Sequence, residues 1–246
     1  LKTNSQKFCP SKKFLLKMFF SVSSDKAVKS NSILGVSKYL MEQSLANFAK
    51  KFPNVFVSSA RFANVAFSNG SYLEYVKNRI DQKITFGLPM KISRYFITTD
   101  EAISICLKSI LKKNKNRIII PSSKLIKKNI KLEGLVKQIL KIYGYEIKFT
   151  NKILKVKSKY FPVIPNHNDL EGQKNFEEFF DYESEKLFEN SNDSVTTIKL
   201  IKKKNTSIIL NKLININSKD KIIKYLKNEI SSFSTKKKFK IVSHII

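Results

Sequence analysis

The 246-residue chain has no tryptophan, two cysteines, two histidines and six glycines, and each scarcity removes a class of protein. Cys9 and Cys106 are too few for a disulfide framework or a cysteine-built metal site, so a reducing cytoplasm is the expected setting. His167 and His244 lie far apart without metal-ligand spacing; both read as surface or tail residues, and no metal is expected. No uninterrupted apolar run approaches the ~20 residues that a membrane span needs. The stretch "KKFLLKMFFSVSS" has the outline of a secretory signal, but Lys17 interrupts its apolar part and no small-residue cleavage site follows, so the chain reads as soluble. The glycines stand at 35, 70, 87, 134, 144 and 172, never closer than ten residues, and cannot form a glycine-rich turn around a phosphate.

Arginine is scarce as well. The formal net charge is +28, a value that points first to nucleic acid or an anionic surface. Only Arg61, Arg79, Arg94 and Arg117 among the 47 basic residues carry the planar fork that reads phosphates and bases. Lysine, isoleucine and asparagine are abundant together, so compositional drift and a solvated surface account for the charge, and no nucleic-acid partner is expected.

What is present is an alternation of strands and helices. Residues 1–17 show neither pattern and form an atypical leader. Met18 to Ser23 is a short apolar strand; from about Ser32, Leu34, Met41, Leu45 and Phe48 recur at helical spacing until Pro53 and Asn54. Val55 to Phe62 predicts the next strand, Ser71 to Ile80 a helix, and Thr98 to Lys113 another, capped by Thr99 or Asp100. "RIIIP" (Arg117 to Pro121) predicts a buried strand, Leu132 to Gly144 a helix with a C-terminal glycine, and "YEIKF" a further strand. Residues 157–175, with Pro162 and Pro165, predict a loop. The acidic run from Phe176 to Glu189 is expected beside basic surface, and the lysine-rich tail is expected to end in one helix, about Lys219 to Ile230. This order implies an α/β architecture with a mainly parallel sheet.

In such sheets ligands gather at the carboxyl ends of strands. Ser23-Ser24-Asp25-Lys26 occupies such a place. Taken alone, these four residues read as a helix cap followed by a solvated lysine. The ordered series "SVSSDKAVKSNSILGVSK", "ARFANVAFSNGS", "SRYFITTDEA" and "EGQKNFEEFF" changes that balance. It resembles the nucleotide-sugar dehydratase branch of the extended short-chain dehydrogenase/reductases, in particular the UDP-N-acetylglucosamine 4,6-dehydratases of bacterial surface-glycan and nonulosonic acid synthesis. The likeness runs from about Phe19 to Glu185.

The resemblance implies a Ser-Asp-Lys triad at Ser24, Asp25 and Lys26 and a dehydration in three parts. Hydride leaves sugar C4 for a bound NAD or NADP, and the resulting ketone acidifies the C5 proton. Lys26 would remove that proton, which requires burial or a neighbouring charge to favour its neutral form. Asp25, held partly protonated, would donate to the departing C6 hydroxyl, Ser24 would hydrogen-bond the C4 oxygen, and the hydride would then return from the cofactor to C6, so that the sum is loss of water. Lys38 matches the lysine of the superfamily's Tyr-x-x-x-Lys element, which meets the nicotinamide ribose. The tyrosine position is Leu34, and Tyr39, about 100° further round the helix, cannot replace it. Lys29-Ser30 stands where the family usually has Asn-Pro. Asn64 resembles a sugar-nucleotide contact, with the Ala63 backbone near the nicotinamide. Arg94 resembles the diphosphate-binding arginine. Gln173 in "EGQK" replaces the acid that meets the uridine ribose.

The implied fold is therefore the C-terminal part of a Rossmann-like NAD(P)-binding fold, with its N-terminal Gly-rich half missing, plus a smaller substrate-binding region. The expected division is a leader at 1–17, the Rossmann-like part with the catalytic motifs at 18–125, the substrate-binding region at 126–198 and a helical tail at 199–246. UDP-N-acetylglucosamine or a related UDP-sugar is the expected ligand. A missing half or a second copy is the expected polypeptide partner, because shortening the sheet leaves an apolar edge. Two other readings are a nucleotide-sugar epimerase, which normally keeps the tyrosine and lacks Asp-Lys, and a catalytically silent association module.

Overall fold

Apolar strands and amphipathic helices alternate from Met18 onward. The computed structural model, which describes residues 16–62, 64–111, 114–122, 129–167, 177–188, 195–201, 206–230 and 233, follows that order. Strand β1 (Met18–Ser24) lies parallel to β2 (Phe56–Phe62), in register from Met18 opposite Phe56 to Ser24 opposite Phe62. Parallel neighbours need a crossover, here helix α1 (Ile33–Lys51). Ser32 caps α1 by accepting the Gly35 N–H at 3.0 Å, and Lys50 and Lys51 occupy the last turn, where the helix dipole favours cations.

The chain continues through β3 (Asn64–Val65), α2 (Tyr72–Asp81), β4 (Phe86–Pro89), β5 (Ser93–Arg94), β6 (Phe96–Ile97) and α3 (Thr99–Ser109). Helix α3 is capped by Thr98, in a reciprocal box with Glu101; Thr99 and Asp100, the caps expected from sequence, are its first two helical residues. Then come β7 (Arg117–Pro121), β8 (Ile130–Lys131), α4 (Leu132–Ile142), β9 (Glu146–Phe149), β10 (Tyr160–Asn166), β11 (Leu187–Phe188), β12 (Val195–Lys199), α5 (Thr206–Ile214) and α6 (Lys219–Glu229).

The principal sheet has the order β1-β2-β7-β12-β11, parallel across its first three strands and antiparallel across the rest. Strand β2 is central to the parallel part and buried for six of its seven residues, as a strand covered on both faces must be. Val57, Ala60, Ile105, Ile119 and Ile198 form the core around it. Among the described residues β1 is the sheet's edge, and Met18, Phe19 and Val22 are each more than 40% exposed.

A second sheet, β4-β10-β9, packs with α2 and α4 around Val76, Leu88, Val136, Leu140 and Phe161. Its middle strand, β10, runs through the segment expected to be a loop, and its two prolines fit for a geometric reason. The ladder with β9 covers Tyr160 to Val163 and that with β4 covers Val163 to Asn166. The Lys159 and Val163 carbonyls face β9 and that of Asn166 faces β4. By strand alternation Pro162 faces the β4 side before that ladder begins, and Pro165 the β9 side after that ladder has ended. Neither missing N–H is called on by a neighbour.

The boundary expected between 125 and 126 is crossed in both directions: β4 joins β9 and β10, while β12 returns to β7. The tail contributes two helices where the sequence predicted one. Ile209 of α5, Ile223 and Leu226 of α6, and Ile230 cover Val36 and Leu40 of α1. No helix among the described residues is long and apolar enough to cross a membrane.

Candidate active site

The polar turn after β1 is held by short-range bonds. Ser24, the last strand residue, accepts the Lys26 N–H at 3.1 Å and so caps a single 3-10 turn over Asp25–Ala27. The Val28 N–H closes the turn on the Asp25 carbonyl at 3.1 Å, and Ser30 Oγ donates to the Lys26 and Ala27 carbonyls. Helix α1 approaches this turn so closely that a Cβ at Gly35 would stand 2.4 Å from the Lys26 carbonyl oxygen. The glycine is thus needed for lack of a side chain, not for backbone freedom. Lys26 Nζ lies 3.5 Å from Asp25 Oδ1. The Asp25 side chain is buried at 7% exposure, whereas that of Lys26 is 45% exposed. Lys38 reaches from α1 back to the Val22 carbonyl at 3.2 Å, at the same end of β1. Leu34, at the tyrosine position, is exposed.

A second cluster joins Asn64 and Arg94. Asn64 Nδ2 donates to the Tyr95 carbonyl at 3.1 Å and to Glu177 Oε1 at 2.5 Å. The Tyr95 N–H donates to Glu177 Oε2 at 2.8 Å, and Arg94 Nε stands 3.6 Å from Oε1. β3 and β6 pair at Asn64 and Phe96, which brings the two loops into register. Burial and then the nearby Asp25 charge push the Glu177 carboxyl above its ordinary value, against the opposing pull of Tyr95, Asn64 and Arg94. The Asp25 turn and the Asn64–Arg94 cluster therefore lie within electrostatic reach of each other.

A third group anchors the acidic segment that carries Glu177. Arg61, at the end of β2 and 2% exposed, donates from Nε to Glu42 Oε1, from Nη2 to Glu42 Oε2 and Glu185 Oε1, and from Nη1 to Glu185 Oε2 and the Phe179 carbonyl. All five guanidinium N–H groups are used. Burial alone would pull its pKa down; Glu42 and Glu185 more than offset this and raise it. Lys29, at φ 38° directly after the turn, faces Glu178 and Asp181 at 3.8 Å each. A cavity of about 550 Å³ opens beside this network, lined in part by Lys29, Tyr39, Glu42, Arg61, Asp181 and Lys199. Burial, then Glu42 and Glu185, raise the pKa of Tyr39, which faces this cavity.

The structure thus brings Ser24, Asp25, Lys26 and Lys38 to one strand end, and joins Asn64 to Arg94 through a carboxylate that sequence reasoning missed. Ala63 and Gln173 lie outside the described residues. The missed groups are Glu177 and the Arg61–Glu42–Glu185 network. A signal for the former existed: Glu177, Glu178, Asp181, Glu183 and Glu185 place five of the chain's 19 acids within nine residues of a strongly basic protein. Among the described residues no group of histidine, cysteine and acidic side chains is arranged to hold a metal ion.

A parallel sheet with helical crossovers and a polar turn at a strand's carboxyl end defines the Rossmann-like α/β class. The X-ray structure of Pen from Bacillus thuringiensis shares this fold, with a TM-score of 0.56 at 20% identity over 89% of this chain and 64% of that one. Residues 8–199 match the polysaccharide biosynthesis protein family, and the chain belongs to that family. It is 24% identical over 213 residues to the capsular polysaccharide biosynthesis protein CapD of Staphylococcus aureus, covering 84% of this chain and 32% of CapD. It is 27% identical over 166 residues to the probable polysaccharide biosynthesis protein EpsC of Bacillus subtilis, covering 64% of this chain and 26% of EpsC. The chain spans about a third or less of the length of these relatives.

Proposed function

We propose that the chain carries the acid–base and sugar-nucleotide residues of a nucleotide-sugar 4,6-dehydratase acting on UDP-N-acetylglucosamine or a related UDP-sugar. The observation that carries this reading is the Asp25–Lys26 pair at the carboxyl end of β1, with the turn tied through Lys29 and Glu178 to the segment whose Glu177 holds Asn64 and faces Arg94. In this reading Lys26 removes the C5 proton of a 4-keto sugar, and the buried Asp25 delivers a proton to the C6 hydroxyl as water leaves. Ser24 holds the C4 oxygen, and either Ser24 or Lys26 accepts the C4 hydroxyl proton, since Leu34 cannot. Asn64 meets the sugar nucleotide and Arg94 the diphosphate. The exposure of Lys26 requires that bound sugar or further polypeptide cover it during the reaction.

A nicotinamide cofactor supplies reversible hydride acceptance when bound. The residues present suit only part of it. Lys38, hydrogen-bonded at the end of β1, would meet the nicotinamide ribose. The scattered glycines provide no cradle for the pyrophosphate, so this chain alone is expected to bind NAD or NADP poorly.

The test is to supply NAD or NADP with UDP-N-acetylglucosamine and assay for the 4-keto-6-deoxy product, using this chain and a version extended upstream to its relatives' length. The extended protein should form product, and Lys26→Ala should abolish it. Full activity in Lys26→Ala rejects the mechanism. An inactive extended protein favours the second reading, association through the apolar edge that β1 forms among the described residues.

A further inference from the structure

Glu177 takes no part in the proposed proton transfers, yet both residues assigned to the sugar nucleotide depend on it. Its side chain is 3% exposed, and its two oxygens accept from the Asn64 amide and the Tyr95 backbone while facing Arg94 Nε. The effect on Asn64 is to set its polarity. Both amide hydrogens have acceptors, one in the Tyr95 carbonyl and one in Glu177, so the atom that Asn64 has left to offer a ligand is its oxygen. The effect on Arg94 is to fix an orientation. Its guanidinium faces Glu177 along Nε and donates from Nη1 to the Ser93 carbonyl at 2.8 Å.

We propose that Glu177 is the positioning residue of the sugar-nucleotide site: it makes Asn64 an acceptor for a ligand hydroxyl or amide N–H and holds Arg94 in the pose that meets a diphosphate. This rests on the sugar-nucleotide reading given above. The ligand class it selects has a hydrogen-bond donor on the sugar beside a diphosphate. A carboxylate is needed because two donors converge on two different oxygens. A glutamine has one oxygen. Either the Tyr95 N–H would lose its partner, or Asn64 would have to turn its oxygen inward and present its donors instead. The Arg61 network holds the segment in place, since the Phe179 carbonyl, two residues on, accepts from Nη1 at 2.9 Å.

The experiment is an NMR titration of the full 246-residue chain with UDP and, separately, with uridine, which differs only in lacking the diphosphate. The wild type, Glu177→Gln, Glu177→Asp and Arg94→Ala are compared. Glu177→Gln should weaken UDP binding about tenfold, the scale of one charge-assisted contact, and leave uridine binding unchanged. Should Glu177→Gln fail to fold, Glu177→Asp keeps the charge but draws it back from Arg94, and should show the same split. Equal loss for both ligands means that Glu177 merely supports the fold, and unchanged UDP binding means that it does not hold Arg94 for a diphosphate. Either result overturns the proposal and leaves the sugar-nucleotide reading standing. A wild type that does not bind UDP, with Arg94→Ala no different, removes that reading and the proposal with it.

Discussion

Arg61→Ala should be among the most damaging substitutions in this protein. The guanidinium makes five hydrogen bonds of 2.7–2.9 Å, and the side chains of Arg61 and Glu42 are each only 2% exposed. Removing it leaves the Glu42 carboxylate buried without its counter-charge and Glu185, 14% exposed, without its partner. Breaking a buried pair from one side costs about 3–5 kcal/mol, because the penalty is the orphaned charge. That is a large fraction of the roughly 5–15 kcal/mol by which a folded protein is stable. For a protein of this size it corresponds to a fall in Tm of about 6–20 °C. Urea unfolding followed by circular dichroism would give the value. Hydrogen exchange should also show loss of protection in residues 177–188, which Arg61 ties to β2 through Phe179 and Glu185. The double variant Glu42→Gln with Arg61→Met removes both buried charges and should recover at least half of the loss. A cost below about 1 kcal/mol for Arg61→Ala, or a double variant as unstable as the sum of the singles, would refute the reasoning.

Two further outcomes are expected. Gly35→Ala would drive a Cβ to 2.4 Å from the Lys26 carbonyl and 3.2 Å from Ser30 Cβ, so the turn or α1 must move; a loss of about 1–3 kcal/mol in denaturant unfolding is expected, and an unchanged midpoint would show that the turn yields freely. Glu177 has its pKa raised in the folded state, so the stability it contributes is fully present below its ordinary value of 4.5 and lost as pH rises through the raised folded value. The wild type should therefore gain stability relative to Glu177→Gln as pH falls from 7 toward 4.5, and parallel stability profiles would contradict that sign.

The residues read from sequence divide by how far apart their partners lie along the chain. Ser24, Asp25 and Lys26 were legible because they are contiguous and their turn is closed by Ser24, Val28 and Ser30, all within six residues of one another. Lys38 was singled out by the resemblance alone, and its contact with the Val22 carbonyl, 16 residues away, needed α1 to fold back on β1. Strands β1, β2, β7 and β9 and helices α1 to α4 were legible from local apolar periodicity, whereas the short strands β3 to β6 and β8 were not. Strand β10 was not, because whether a proline is tolerated depends on where the neighbouring ladders begin and end, and those neighbours lie far off in sequence. Helix α5 also went unread, although its Ile209 joins the cluster on α1.

The sequence by itself determined the α/β alternation and the polar turn after the first strand, since each depends on neighbours a few positions away. Tertiary structure alone decided which carboxylate would hold Asn64 and Arg94 and which would neutralise Arg61. Glu177 lies 113 residues from Asn64, and Glu185 lies 124 from Arg61. A buried charge is stable only beside its counter-charge, and only the closed fold brings those pairs together.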